Sequence, residues 1–215
     1  MQQLTVREIK ESDIELIIQY WLSASDAYLT SLGVDLARMP SVTDWQRMLA
    51  SQIELPYQEK QSYCTIWELD GKPIGHSNVN KIIFGEEASM HLHIWYAEER
   101  RMGLGVAFIK RSLPFFFKNL QLLKVYSEPF ALNDAPNKTL AKAGFHFIKE
   151  YTTVPGSINF EQPVKRWEIK AADQSLFQTF VKALTGHMYF GIVLHPFSFI
   201  KYLYDVLRYF YAHKF

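Results

Sequence analysis

The chain has 215 residues, 48% of them hydrophobic, which is enough for one full-cored domain with an appendage and too apolar for a disordered chain. Lys and Arg number 23 against 22 acids, and a formal net charge of +1 gives none of the basic excess that nucleic acid binding requires. The single cysteine, Cys64, excludes an internal disulfide and argues against a thiolate metal site.

The opening "MQQLTVREIKESD" lacks the apolar core of a signal peptide, so a reducing, cytoplasmic setting is expected. "LTVREI" alternates and predicts a first strand. "ESDIELIIQYWL" predicts a helix capped by Ser12, with Ile14, Ile17, Ile18 and Trp21 as its apolar stripe. "ASDAYLTSLGVDLARMPS" is loop-like, and Val42 to Leu55 is a second helix stopped by Pro56. From Ser62 the period becomes two. "SYCTIWEL", the turn "DGKP", "IGHSNVNKIIF", the turn "GEE" and "ASMHLHIWY" form a meander. A helix over Gly103–Asn119 follows, with Pro114 expected to kink it or end it early. "LLKVYSE" is a strand, and "NDAPNKTLAKAGF" a short helix closed by Gly144. "HFIKEYTTV" and "VKRWEIK" are the last strands, around the loop "PGSINFEQP".

Residues 171–215 differ in composition. The run "MYFGIVLHPFSFI" is the most apolar of the chain, but it is too short for a span and is broken by His195 and Pro196. "FSFIKYLYDVLRYFYAHKF" has a helical stripe of Ile200, Leu203, Leu207 and Phe210. The expected division is a mixed α/β domain over 1–170 and an aromatic-rich helical extension over 171–215. The extension is expected to pack on the domain or at a homodimer interface rather than on a membrane.

The segment His91–Leu113 carries the chemistry. Gly103 and Gly105 stand between a strand and a helix, where backbone N–H groups approach a ligand with no Cβ in the way. The first turn of a helix has unpartnered N–H groups and the positive end of the helix dipole, so a pyrophosphate is the natural occupant. A Rossmann fingerprint fails because Phe108 stands three residues after Gly105, and no Walker loop is present.

Arg100-Arg101-Met102-Gly103-Leu104-Gly105 resembles the Gln/Arg-x-x-Gly-x-Gly/Ala signature of the GNAT N-acetyltransferases. Asn133–Phe145 resembles their second motif at the family's spacing, and the element order from Leu4 to Lys170 agrees. The resemblance implies a GNAT fold, a mostly antiparallel mixed sheet that splays open and is flanked by helices. It implies acetyl-CoA as co-substrate, with the pantetheine paired to the backbone of Ile94, Trp95 and Tyr96. The pyrophosphate would lie on the N–H groups of Arg101, Met102, Gly103, Leu104, Gly105 and Val106, with Arg100 adding charge. Asn133 and Asn137 would offer amide contacts.

Direct transfer to an amine needs a base for the ammonium, whose pKa is roughly 10, and N–H donors for the oxyanion of the tetrahedral intermediate, expected near Trp95. His91 and His93 share a strand face. Counted back from the glycine turn, His91 falls where siderophore-biosynthesis acyltransferases carry a His and aminoglycoside 6'-N-acetyltransferases an Asp. Glu128-Pro129 stands where that subgroup has Asp-Pro. The resemblance therefore implies His91 and Glu128 as the catalytic pair facing each other across the opening. His-x-His lacks a third ligand, so no metal is expected. The family's frequent proton-donating Tyr is replaced by Leu140, and the alternative Ser by Pro136. This leaves the thiolate to depart unassisted or to be protonated by Tyr96, Tyr126 or water. Acceptor contacts are expected from the first helices and the loop "SDAYLTSLGVDLARM", with Asp26, Tyr28 and Asp35, from "PGSINFEQP" between the last strands, and from His93. The acceptor is expected to be a small polar or cationic amine of aminoglycoside, polyamine or hydroxylysine type. A protein N-terminus and a non-catalytic acyl-CoA-binding role are the alternatives.

Overall fold

In the computed structural model, which describes residues 2–100 and 103–172, seven strands form one sheet in the order β1-β2-β3-β4-β5-β7-β6. They are β1 (Leu4–Glu8), β2 (Ser62–Leu69), β3 (Lys72–Ile83), β4 (Glu87–Ile94), β5 (Lys124–Ser127), β6 (His146–Thr153) and β7 (Gln162–Lys170). Every neighbouring pair is antiparallel except β4 and β5. The helices are α1 (Ile14–Ser23), α2 (Asp26–Ser31), α3 (Val42–Glu54), α4 (Leu104–Asn119) and α5 (Asp134–Ala143). The extension expected over 171–215, with its dimer contact, lies outside the described residues apart from Ala171 and Ala172. Among the described residues no helix is long and apolar enough to cross a membrane.

Strand alternation gives each sheet face its own core. Trp67, Ile74, Val79, Met90 and Val125 meet Phe108, Leu113 and Phe116 of α4 and Leu140 of α5. Trp67 stacks on Phe108 at 4.9 Å, and its indole N–H donates to Ser112 Oγ at 2.9 Å. On the other face Cys64, Ile66 and Trp95 meet Ile17, Ile18 and Trp21 of α1, Leu29 of α2 and Trp45 of α3.

Two local expectations are corrected, and of the two outcomes expected at Pro114 one does not occur. Ser12 lies inside a 3-10 turn, and Asp13 takes the N-cap position of α1. The Asp13 carboxylate accepts the Lys10 N–H at 2.8 Å and pairs with Arg7 at 2.6 Å. Residues 26–31 form α2 rather than loop, with Ser25 Oγ accepting from Tyr28 N–H at 3.3 Å. Six residues are too few to show an apolar period. Pro114 does not end α4, which runs on to Asn119. The residue is exposed, so the missing N–H falls on the solvent side of the helix.

Candidate active site

β4 and β5 are paired only over Glu87–Ser89 with Lys124–Tyr126. Beyond this the strands part, and Ser127 Oγ makes the last bridge, donating to Met90 C=O at 2.8 Å. The edge of β4 past that point is set by the ladder on its other side. Trp95 N–H donates to Ile74 C=O at 2.9 Å, in register with His76–His93 and Asn78–His91. Antiparallel alternation therefore turns the N–H groups of His91, His93 and Trp95 toward β3, and those of Leu92 and Ile94 toward the opening.

This relocates the expected cofactor contacts. Both backbone groups of Trp95 are used, because its C=O accepts from Arg100 Nη2 at 3.0 Å. Ile94 C=O accepts from Arg100 Nε at 3.0 Å. Trp95 thus supplies neither an oxyanion donor nor a pantetheine contact, and the exposed strand edge belongs to Leu92 and Ile94. Arg100 does not add charge at the glycine turn. Its guanidinium turns back onto β4 and lies over the Tyr28 ring at 4.3 Å. Tyr96 packs beneath Lys72 Nζ at 4.8 Å.

Gly103 holds φ +75 and ψ 4 as the N-cap of α4, a left-handed conformation that favours glycine, and the ground where its Cβ would stand is open. Leu104, Gly105 and Val106 form the first turn of a sixteen-residue helix, so their N–H groups face out of the N-terminus. These groups fit a pyrophosphate. Arg101 and Met102 lie outside the described residues.

One cleft at the mouth of the divergence is lined by His91, His93, Ser127, Glu128, Asn133 and Gln162, among others. His91 Nε2 lies 3.2 Å from Asn80 Oδ1. A carbonyl oxygen only accepts, so Nε2 carries the proton and Nδ1 presents a lone pair. Burial, helped by the positive charge of Lys81, lowers the His91 pKa to about 4, against a smaller opposing pull from Glu128. Lys81 sits at a bulge in β3, in left-handed conformation with φ 49, where the β3–β4 register shifts. Glu128 is buried directly after β5. Its Oε1 accepts from Arg166 Nη1 at 3.1 Å and from the Tyr151 hydroxyl. Oε2 makes no hydrogen bond among the described residues.

His93 has different surroundings. Its Nδ1 lies 3.1 Å from the Tyr20 hydroxyl, and its ring stacks on His76 at 4.9 Å and meets Trp21 edge-on at 4.8 Å. His76 Nδ1 accepts the Trp95 indole N–H at 2.8 Å. Burial lowers His76 to about 3 and holds His93 well below its ordinary value, so this stack is uncharged.

The other expected residues divide. Asn133 opens onto the cleft, with no hydrogen bond to its side chain among the described residues. Asn137 is committed inside the protein. It donates to Phe130 C=O at 3.0 Å and Asn133 C=O at 2.7 Å, and accepts from the Trp167 indole at 2.8 Å. Leu140 is a core residue and Pro136 lines the cleft. Neither Tyr96 nor Tyr126 borders it. Tyr126 lies under the Arg166 guanidinium at 3.8 Å. Of the expected acceptor residues, His93 lines the cleft and the other three do not. Asp26 is exposed at the start of α2, and Tyr28 supports Arg100. Asp35 accepts from Ala37 N–H at 3.1 Å and pairs with Arg38 at 3.2 Å. Sequence reasoning missed Asn80, Arg166 and Tyr151, and reached Gln162 only through the loop "PGSINFEQP" that it assigned to the acceptor side. Asn80 had a legible signal, since "NVNK" puts Asn78 and Asn80 on one strand face.

Among the described residues no group of three or more His, Cys, Asp or Glu is placed to hold a metal ion. A splayed sheet with a glycine turn at the head of the helix after β4 is an acyl-CoA-binding architecture. The chain matches the Acetyltransferase (GNAT) domain over residues 3–146, and it belongs to that family. It is an acyltransferase with acetyl-CoA as co-substrate. Among solved structures, the chain is similar to spermidine N-acetyltransferase from Vibrio cholerae in complex with CoA and spermine. That match has 21% identity and a TM-score of 0.65, covering 80% of this chain and 98% of that one. It is also similar to the aminoglycoside acetyltransferase AAC(6')-Ib in complex with ribostamycin and coenzyme A, at 18% identity and TM-score 0.61, covering 79% and 94%. A ribosomal L7/L12 alpha-N-protein acetyltransferase in complex with coenzyme A matches at 12% identity and TM-score 0.62, covering 78% and 93%. At these identities the likeness is one of fold. Among curated proteins no match is found.

Proposed function

We propose that the protein transfers an acetyl group from acetyl-CoA to the amine of a small cationic or polar acceptor, with His91 and Glu128 handling the amine. The observation that carries this reading is the cleft itself. A neutral imidazole, bonded to Asn80 through Nε2, and a carboxylate, bonded to Arg166 through Oε1, line one space where β4 and β5 diverge.

Acetyl-CoA supplies the activated acyl group. The N–H groups of Leu104, Gly105 and Val106 hold its pyrophosphate, and those of Leu92 and Ile94 receive its pantetheine arm. Glu128 Oε2 attracts the acceptor's ammonium. His91 Nδ1 takes a proton from it, while Nε2–H stays fixed to Asn80. The new imidazolium is stabilised by the carboxylate across the cleft. Arg166 and Tyr151 keep Glu128 in place by holding its other oxygen. Leu140 and Pro136 stand where the family's hydroxyl donors would, so the leaving thiolate departs as the anion or takes its proton from water.

The relatives act on spermidine, aminoglycosides and a ribosomal protein. The first two acceptors are small polycations, which suit a cleft that offers a carboxylate. The test is a thiol-release screen with acetyl-CoA over polyamines, aminoglycosides, hydroxylysine and amino-terminal peptides. Turnover of a polyamine, aminoglycoside or hydroxylysine is expected. Turnover of peptides alone would refute the small-acceptor reading.

A further inference from the structure

The divergence of β4 from β5 should leave the histidine face of the cleft open to solvent, yet two loops meet across it. Residues 32–35 follow α2, and Val34 is buried with Leu29 in the layer over β2 and β4. Residues 154–161 join β6 to β7 on the other arm of the sheet. The two are sewn together. Asp35 N–H donates to Ile158 C=O at 2.8 Å, and Val34 and Asn159 form an antiparallel bridge. Gly33 C=O accepts from Asn159 Nδ2 at 2.8 Å, Gln162 Nε2 at 3.3 Å and Phe160 N–H at 3.3 Å. Arg38 Nη1 adds a bond to Asn159 C=O at 3.2 Å.

Gly33 is required at this junction. Its φ is +82, and a Cβ there would stand 2.0 Å from Gln162 Oε1. Three donors on one carbonyl exceed its two lone pairs, so the contact holds the loops together by number rather than by ideal geometry. Leu32, Pro155, Asn159 and Gln162, from the two loops and the start of β7, line the same cleft as His91 and Glu128. Gln162 is 2% exposed, and its Oε1 is buried without a hydrogen-bond partner among the described residues. The orientation of the amide follows from its neighbour, since a flip would set two acceptor oxygens against each other at Gly33.

We propose that the Gly33–Asn159–Gln162 clasp is a specificity device that bridges the two arms of the sheet and limits the acceptor to a small amine. The proposal rests on the acetyl-transfer reading above. It deepens that reading by assigning acceptor size to named residues away from the proton-handling pair. A clasp of this kind selects by exclusion, because a bulky acceptor must break the bonds to Gly33 before its nitrogen reaches His91.

The experiment compares wild type with Asn159→Ala/Gln162→Ala. The first substrate is the panel amine that wild type acetylates fastest. The second is the same amine carrying a benzyl group remote from the reacting nitrogen. The ratio of kcat/KM for the benzylated over the parent amine is expected to rise at least about fivefold in the variant. The melting shift with acetyl-CoA should stay unchanged. An unchanged ratio with the shift retained overturns the proposal. Gln162→Asn removes one strand of the clasp more gently and is read the same way if the double variant does not fold. A wild type that acetylates no amine of the panel defeats the acetyl-transfer reading itself, whereas an active wild type with an indifferent variant defeats only the clasp.

Discussion

His91 owes its state to its neighbours. Asn80 fixes which nitrogen carries the proton, burial keeps the ring neutral, and Lys81 adds to the cost of charging it. Replacing His91 with Ala should lower kcat about 100-fold or more, within the range for loss of a general base. The melting shift with acetyl-CoA should remain, since the ring touches neither the glycine turn nor the opening edge of β4. A parallel loss of the shift would assign His91 to cofactor binding instead. Replacing Asn80 with Ala frees the ring to change tautomer, so kcat should fall about tenfold with little change in acetyl-CoA affinity. An unaltered kcat would show that the tautomer is set elsewhere. At this scale the sequence was only partly legible. The position of His91 followed from strand alternation and motif spacing. Its separation from His93 required Tyr20 and Trp21 of α1, which lie more than seventy residues away in the chain. The anchoring of Glu128 by Arg166 and Tyr151 is long-range in the same way, so no local pattern announces it.

At the scale of elements, the strands were legible because each has a buried face at period two, and "SYCTIWEL" spans the same residues as β2. Short α2 was not, since its caps and one buried leucine carry the whole signal. Arg100 shows the limit of motif reading. Its place beside the glycines suggested a phosphate contact, but the strand end it follows offers two carbonyls closer by. The Gly103 turn makes the firmest prediction here. Gly103→Ala forces a Cβ into a left-handed conformation at a cost of about 1–2 kcal/mol. The open space around it means that no clash adds to this. Acetyl-CoA affinity should fall about fivefold or more by calorimetry as the turn relaxes away from its ligand-ready shape. Undiminished affinity would show that the backbone at Gly103 is not part of the cofactor cradle.

Across the whole molecule, the sheet carries three histidines on one face, His76 buried and His91 and His93 half-buried. His76 and His91 have pKa values of about 3 and 4, and His93 is also lowered, each chiefly by burial. All three have an ordinary value of 6.5. The unfolded chain takes up protons below that value that the folded protein refuses. Stability is therefore full above pH 6.5 and is lost as the pH falls through 6.5 toward the folded values. The slope approaches about 1.4 kcal/mol per pH unit for each proton. The melting temperature should drop between pH 7 and pH 5, and a melting curve independent of pH over that window would contradict the neutral state of these rings. The global topology was legible in the sequence as far as its order of elements. The clasp that joins the arms was not, because it depends on a carbonyl of one loop and side chains more than a hundred residues further on.

The central claim is that the cleft between β4 and β5 transfers an acetyl group from acetyl-CoA to a small amine through His91. Thiol release from acetyl-CoA, measured across the amine panel with wild type and His91→Ala in parallel, tests it most directly. The account predicts amine-dependent release by wild type that falls about 100-fold in the variant. Release that ignores the amine, or that is equal in the two proteins, would contradict it.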